Sequence, residues 1–269
     1  MSDLTTAVVL ARGLGTRMRA SGAGVNLSDE QAAAADAGVK AMMPIGRPFL
    51  DHVLSELADA GITEAFLVIG PEHQGVRDYY GALPPRRLRI GFAIQDEPRG
   101  TADAVLAAAD VVGDRRFLVV NGDNHYAAAT VRALAAVPGN ALAGYRRSAL
   151  LRGGTIEPAR LAAFALVIAA DGRLVDLIEK PAFEVVEAAG PDALVSMNCF
   201  VFTPAIFAAC RAIGPSARGE YEIVDAVRQL VAGGEVVRVV GVEDGVLDLS
   251  SRADVAGVES ALRDRPVSL

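Results

Sequence analysis

Lysine is almost absent from this chain. Lys40 and Lys180 are the only two, against 24 arginines in 269 residues. A chain that meets nearly every need for positive charge with arginine keeps lysine where a planar fork does not serve, as in a narrow site around one charged phosphate oxygen. Basic charge as a whole is also short: the net charge is −7 and the pI about 5.1. That argues against non-specific nucleic-acid binding, which needs a basic surplus to neutralise backbone phosphates. It leaves room for a small anionic ligand in a local basic pocket. Cys199 and Cys210 are the only cysteines. Two are too few for a disulfide framework, no CxxC or Cys/His cluster suggests zinc, and both read as packed thiols. His52, His73 and His125 stand apart from any carboxylate or nucleophile at readable spacing and are read as non-catalytic. No apolar run approaches the roughly 20 residues of a membrane span. The N-terminus lacks a basic region followed by an apolar stretch and a cleavage site. The expectation is a soluble cytoplasmic protein with neither membrane nor nucleic acid as partner; a homo-oligomer stays open.

What is present is apolar material, 52% of residues with a mean hydropathy of +0.32, enough for a sizeable core. The runs Thr6–Ala11, Ala65–Ile69, Leu88–Gln95 and Phe117–Val120 read as strands. Between them Phe49–Ala60, Glu72–Gly81, Thr101–Ala109 and Thr130–Ala136 read as helices, with Thr101 in a capping position. Strands alternating with helices imply βαβ units and a mostly parallel, doubly wound α/β sheet. After about residue 140 the pattern loosens. Ala162–Ile168, Leu174–Ile178 and Leu194–Phe202 read as strands, the second after a hairpin turn at Asp171-Gly172. Tyr221–Ala232 and Arg252–Leu262 read as late helices, and Gln31–Ala37 as a short helix in a long loop. The expected organisation is one domain over 1–269. A nucleotide-binding half spans about 5–140, a mixed half about 141–255, and a C-terminal helix and tail 251–269. Open α/β sheets bind ligands at the carboxyl ends of their strands, which here carry Arg12–Arg17, Gln95–Thr101 and Asn121–Asp123.

The first of these tips reads Leu10-Ala11-Arg12-Gly13-Leu14-Gly15-Thr16-Arg17-Met18. A Gly-rich loop after a strand offers backbone N–H groups to phosphate oxygens. It is not a dinucleotide fingerprint, because the third glycine falls on Met18, and no GKS/T follows to make a P-loop. Alone it weighs no more than an ordinary tight turn; Arg17 adds a cation to it.

With Lys40-Ala41-Met42-Met43-Pro44-Ile45-Gly46-Arg47-Pro48 a family comes into view. LAxGxGTRM followed by K-x-M-x-P-x-x-R-P resembles the N-terminal signature of the nucleotidyltransferases that activate sugar 1-phosphates. Further pieces follow in the same order: Gln95 with Gly100-Thr101-Ala102-Asp103-Ala104, Gly122-Asp123-Asn124, Glu179-Lys180-Pro181, Arg218-Gly219-Glu220-Tyr221-Glu222-Ile223 with Asp225, and Val246-Leu247-Asp248. The resemblance runs from about residue 6 to 255. It implies a Rossmann-like nucleotidyltransferase fold of the GT-A type with a mixed sugar-binding half. It also implies transfer of a nucleotidyl group from an NTP to a sugar 1-phosphate, with release of pyrophosphate and a need for Mg2+.

The implied roles follow charge. Arg17 would neutralise the pyrophosphate side, Lys40 the phosphate oxygens near the α-phosphorus, and Lys180 the attacking sugar phosphate. Leu10, Ala11, Gly13, Gly15, Thr16, Gln95, Gly100 and Thr101 would form the nucleotide site, with Gln95 reading the base edge through an amide that both donates and accepts. Gly122, Glu179 and Asn198 would join Lys180 on the sugar phosphate. Asp123 and Asp248 would hold Mg2+. Three departures from the family pattern stand out. Arg12 occupies a position that is usually Ala or Gly. The stretch between Arg17 and Lys40 is long, a candidate lid or partner contact. Met197-Asn198-Cys199 replaces a glycine-containing turn near the sugar. These keep two alternatives open: a catalytically degenerate relative that binds nucleotide-sugar and regulates a partner, and an enzyme acting on a cyclitol or polyol phosphate.

Overall fold

Short apolar runs between turn residues build one sheet of nine strands among the described residues. The protein is represented by a computed structural model that describes residues 4–13, 15–20 and 25–269. Leu14 of the predicted glycine loop lies outside the described residues. The strands are β1 (Thr6–Leu10), β2 (Glu64–Ile69), β3 (Arg89–Ile94), β4 (Phe117–Asn121), β5 (Asn140–Arg146), β6 (Ala165–Ala170), β7 (Arg173–Ile178), β8 (Leu194–Phe202) and β9 (Val237–Val242). Their order across the sheet is β3-β2-β1-β4-β8-β5-β9-β7-β6.

The first half is parallel: β1 pairs with β2 on one side and β4 on the other, and β2 pairs with β3. The chain therefore reverses its direction of winding at β1, where the next strand in sequence crosses to the opposite side. A crevice opens at such a switch point, at the carboxyl ends of the strands. Leu10 sits level with Val68 and Asn121, so the tips of β1, β2 and β4 share one edge. The second half is mixed. β8 runs antiparallel to both β4 and β5, and β5 runs parallel to β9. The first residues of β8, Leu194–Ser196, also pair with β6, which curls the second half round.

Alternate residues of β1 divide between two cores. Ala7 and Val9 face the layer that includes helix α1 (Phe49–Asp59), and Val8 faces the opposite layer. In α1 the buried Phe49, Leu50, Val53, Leu54 and Leu57 recur at helical spacing and make one apolar face. On the other face lie helices α2 (Thr101–Ala107), α3 (Ala205–Ala212) and α4 (Ile223–Ala232). There Phe117 stacks on Phe207 at 5.3 Å and Phe200 on Phe202 at 5.2 Å. Burial of each such ring contributes about 1.5–3 kcal/mol.

The α/β class and the parallel first half agree with the sequence reading. The hairpin at Asp171-Gly172 is also as expected: both residues have positive φ, 50° and 70°, and Ala170 faces Arg173 across the turn. Differences concentrate in the second half. β6 begins at Ala165 rather than Ala162, because Pro158–Ala163 forms a 3₁₀ turn that buries Leu161. β5, β9 and the helices Arg147–Gly153, Phe183–Ala188 and Ala205–Ala212 were not expected. β5 is buried on both faces, so it lacks the alternation that betrays a strand. The long stretch before Lys40 holds a helix over Asp29–Ala37 with a capping box of Ser28 and Gln31. Arg252 holds Asp36 at 2.5 Å, Arg19 donates to Ala37 O at 2.9 Å, and Gln31 donates to Pro44 O at 3.1 Å. Gln31 near its start and Asp36 near its end thus dock this helix against the body.

Candidate active site

The tips of β1, β2 and β4 meet through backbone bonds: Gly122 N–H donates to Leu10 O at 2.8 Å, and Ala11 N–H donates to Val68 O at 2.9 Å. Above them opens a cavity of about 480 Å³, within the range of small-ligand sites. All the residues expected in the site line it except Glu179, Lys180 and Asp248.

The glycine loop owes its shape to a close approach. Gly15 has φ 61°, and a Cβ there would overlap the carbonyl of Gly38. Only glycine lets the loop pack on the segment that leads into Lys40. Lys40 then starts the 3₁₀ turn Lys40–Met42, and its Nζ reaches Asp123 Oδ2 at 2.7 Å. The largely buried Lys40 and the quarter-exposed Asp123 thus meet at the head of the cavity from segments 83 residues apart. Arg17 is exposed on the short helix Thr16–Arg19 that follows the loop, and no carboxylate among the described residues pairs with it.

On the opposite wall, Gln95 is buried, with its N–H on Ile69 O at 2.9 Å. Its amide nitrogen donates to Gly100 O at 3.1 Å and to Asp103 Oδ2 at 2.9 Å. Both partners only accept, so the nitrogen belongs on that side and Oε1 is left to accept from a ligand. The expectation of an amide that both donates and accepts is corrected accordingly: its donor half is used within the protein.

Thr101 also differs from its expected role as a cap of its own helix. Its Oγ1 accepts from Ile223 N–H at 2.9 Å and so caps α4, while Gly100 precedes α2 without a side-chain cap. Gly100 has φ 119°, and a Cβ there would lie 2.5 Å from Tyr221 O. The G-T-A-x-A and R-G-E-Y-E-I segments are therefore one structural unit. Arg218 extends it, contacting Glu222 closely, Glu220 at 3.7 Å and Glu179 at 3.8 Å. Glu220 reaches the cavity wall, so Arg218 links the Glu179-Lys180-Pro181 segment to the cavity. Burial, then the nearby Glu222, pushes the Glu179 carboxyl above its usual range.

Lys180 is exposed at the edge, with Nζ 3.9 Å from Glu179 Oε1. It has φ 44°, and Asn198 has φ 55° at the irregularity that interrupts β8 between Ser196 and Phe200. Left-handed backbone in non-glycine residues costs of order 1 kcal/mol or more and concentrates at functional sites. The third such residue, Asp171, is accounted for by the hairpin turn.

Asp248 lies one step behind the cavity wall. The short ladder Asn124–His125 with Leu247–Asp248 sets Asp248 opposite Asn124, which donates to Oδ1 at 2.9 Å. Ser250 Oγ lies 3.1 and 3.0 Å from its two oxygens, and Arg160 closes on Oδ2. Burial, then the Asp123 charge, pushes the Asp248 carboxyl up to about 6 against the pull of Arg160. Arg160 also holds Asp254 at 2.6 Å. Nothing in the sequence singled out Arg160, which stands in a stretch that reads as the approach to a strand. No group of three or more His, Cys, Asp or Glu side chains among the described residues forms a metal cluster.

Cys199 and Cys210 are buried, free thiols pushed up to about 12 by burial, as packed side chains rather than nucleophiles. His125 is buried beside Asn124, and burial, then the Arg265 charge, lowers it to about 3. Glu56 Oε1 lies 3.7 Å away, but Glu56 already accepts from Arg265 at 3.0 Å and from Ala128 N–H at 2.9 Å. The imidazole is therefore neutral in the folded chain and protonates on unfolding below about pH 6.5. The folded value is depressed, so its stabilising effect is complete above pH 6.5 and is lost as pH falls toward 3. His125→Asn should remove about 2 kcal/mol of the wild-type loss between pH 6.5 and 5, read by urea unfolding at each pH.

A model of the nucleotidyl transferase family matches residues 6–245. The chain belongs to that family. It is a nucleotidyltransferase, as its relatives are. It is 28% identical over 263 residues to the UTP–glucose-1-phosphate uridylyltransferase AglF of Haloferax volcanii, covering 96% of each chain. It is 32% identical over 253 residues to a glucose-1-phosphate thymidylyltransferase of Streptomyces antibioticus, covering 94% of this chain and 64% of that protein. Among solved structures, a UDP-glucose pyrophosphorylase bound to UDP-glucose superposes with a TM-score of 0.75 at 16% identity, over 98% of this chain and 100% of that one. That likeness supports the fold alone. No helix among the described residues of this nucleotidyltransferase is long and apolar enough to cross a membrane.

Proposed function

We propose that this nucleotidyltransferase moves a nucleotidyl group from an NTP to a sugar 1-phosphate, giving NDP-sugar and pyrophosphate, in the presence of Mg2+. The observation that carries the reading is the Lys40–Asp123 pair at 2.7 Å, set between the glycine loop and the tip of β4. A phosphate-binding cation and a carboxylate on one cavity wall are what nucleotidyl transfer requires. The sugar phosphate oxygen forms a bond to the α-phosphorus. The bond from that phosphorus to the bridging oxygen breaks, and its electron pair leaves on pyrophosphate. Negative charge accumulates on the α-phosphoryl oxygens and the leaving group, so the protein's task is positioning and charge stabilisation. Lys40 serves the α-phosphoryl oxygens and Arg17 the leaving group. Gly13, Gly15 and Thr16 offer the loop to the triphosphate. Leu10, Ala11, Gln95, Gly100 and Thr101 border the base and ribose. Gly122, Glu179, Lys180 and Asn198 receive the sugar phosphate.

Asp123 fits Mg2+: Oδ1 has no donor among the described residues, and the ion is commonly held by one or two carboxylates plus substrate phosphates. Asp248 fits once Arg160 rests on Asp254 alone, a partner it already has. When bound, Mg2+ would neutralise phosphate charge in this site.

The relatives named above put UTP, TTP and glucose 1-phosphate first in a panel of five NTPs and a set of sugar 1-phosphates. Pyrophosphate release should require both the sugar phosphate and Mg2+. Asp123→Ala and Lys180→Ala should each lower it by about a hundred- to a thousandfold. Wild-type turnover in either variant refutes the assignment, and turnover only with cyclitol or polyol phosphates redirects the acceptor.

A further inference from the structure

Arg12 lines the cavity from the glycine loop, and its guanidinium is turned toward Glu72 and Gln95. Its guanidinium forms a fork on Glu72, Nε to Oε1 at 3.2 Å and Nη2 to Oε2 at 3.3 Å, and Nη1 closes on the main-chain oxygen of Gln95. The side chain is only 7% exposed, whereas Glu72 is half in solvent. The arrangement also depends on Gly70, because a Cβ there would overlap both Arg12 Nε and the Glu72 carboxylate. Three residues from two loops thus hold the guanidinium plane in one place, against the residue that carries the free Oε1.

Guanidinium has five N–H donors and no acceptor. Three are used on Glu72 and Gln95 O, which leaves one on each Nη. Gln95 Oε1 can only accept, since both hydrogens of its amide are used on Gly100 O and Asp103. Arg12 and Gln95 both line the cavity, so a charged donor and an acceptor stand on the same wall. Uracil and thymine present the complement, a ring N–H next to a carbonyl oxygen. Cytosine presents the reverse, a ring nitrogen acceptor next to an amino group, and meets acceptor with acceptor and donor with donor. Adenine likewise turns an amino group and a ring acceptor to this edge.

We propose that Arg12 is a base-specificity residue, held by Glu72 so that, with Gln95 Oε1, it admits uracil or thymine nucleotides and turns away cytosine and adenine nucleotides. The proposal deepens the reading of the site as one for nucleotidyl transfer and rests on it. A site built to hydrogen-bond one edge rejects the mismatched edge strongly, because its polar groups are left unpaired.

The test measures UTP, TTP, CTP and ATP on wild type, Arg12→Ala and Glu72→Ala, by pyrophosphate release and by calorimetric binding with Mg2+. The UTP to CTP ratio of kcat/KM, and of affinity, should fall by at least about tenfold in Arg12→Ala. Glu72→Ala keeps the guanidinium but frees it, and should lower the ratio less. A merely structural role would weaken all four nucleotides together and leave the ratio unchanged. A ratio within about twofold of wild type in Arg12→Ala, or a wild type that favours CTP or ATP, overturns the proposal. Binding without turnover in any combination would instead fail the transfer reading, and the affinity ratios would still decide the role of Arg12.

Discussion

Lys40→Arg should cut kcat by about one to two orders of magnitude although the charge is kept. Lys40 reaches Asp123 at 2.7 Å from a side chain only 16% exposed, in the turn that follows the Gly15–Gly38 contact. Room for a compact ammonium does not make room for a planar fork with its donors in fixed directions. A guanidinium there would pair with Asp123 in two-toothed fashion and hold a carboxylate that the reaction needs for itself. Lys40→Ala should be worse, a loss of about a hundred- to a thousandfold, the effect of deleting one group that stabilises transition-state charge. Stability should change little, because Asp123 is partly wet and loses one ion pair at a cavity rim. Steady-state kinetics with urea unfolding on both variants separates the two effects. Wild-type turnover in Lys40→Arg would mean that the scarcity of lysine here has no chemical cause.

Arg160→Met should be the most damaging single change to stability, about 3–5 kcal/mol at pH 8. It removes the cation from Asp248, which is 2% exposed, and from Asp254 as well. Asn124 and Ser250 remain on Asp248 but carry no charge. The pH dependence gives the sign. Asp248 titrates at about 6 in the folded chain against 3.8 ordinarily, so between those values the folded state binds the proton more tightly. Its contribution to stability is largest at low pH and declines as pH rises through about 6. Without Arg160 the folded value rises further. The deficit of the variant should therefore be small at pH 5.5 and full at pH 8, measured by urea unfolding against wild type at each pH. A deficit that does not depend on pH would show that Arg160 acts by packing and not through the Asp248 charge.

The parts of the site legible in sequence are those carried by short contiguous segments. A strand must end before a glycine loop, so Leu10, Ala11, Gly13 and Gly15 could be placed at a tip without knowing what lay opposite. The same holds for Asp123 after β4 and Gln95 after β3. The second half was less legible because β5 and β9 lack the polar–apolar alternation that marks a half-exposed strand, and β6 follows a 3₁₀ turn with its own buried leucine. Arg12 was visible as an oddity, but its direction was not. That depends on Glu72, 60 residues away, and on the absence of a Cβ at Gly70. Thr101 looked like a cap for the helix it begins, and caps one that starts at Ile223.

By itself the sequence determined the alternation of strand and helix, the crevice at the strand tips, and which charged groups stand there. Each of these follows from local chemistry: apolar period, turn residues and the conformational freedom of glycine. Only the tertiary structure decided who pairs with whom. Lys40 finds Asp123 across 83 residues and Arg160 finds Asp248 across 88. An arginine's spacing in sequence carries no record of which carboxylate it will meet, because the sheet order, not the chain order, sets its neighbours.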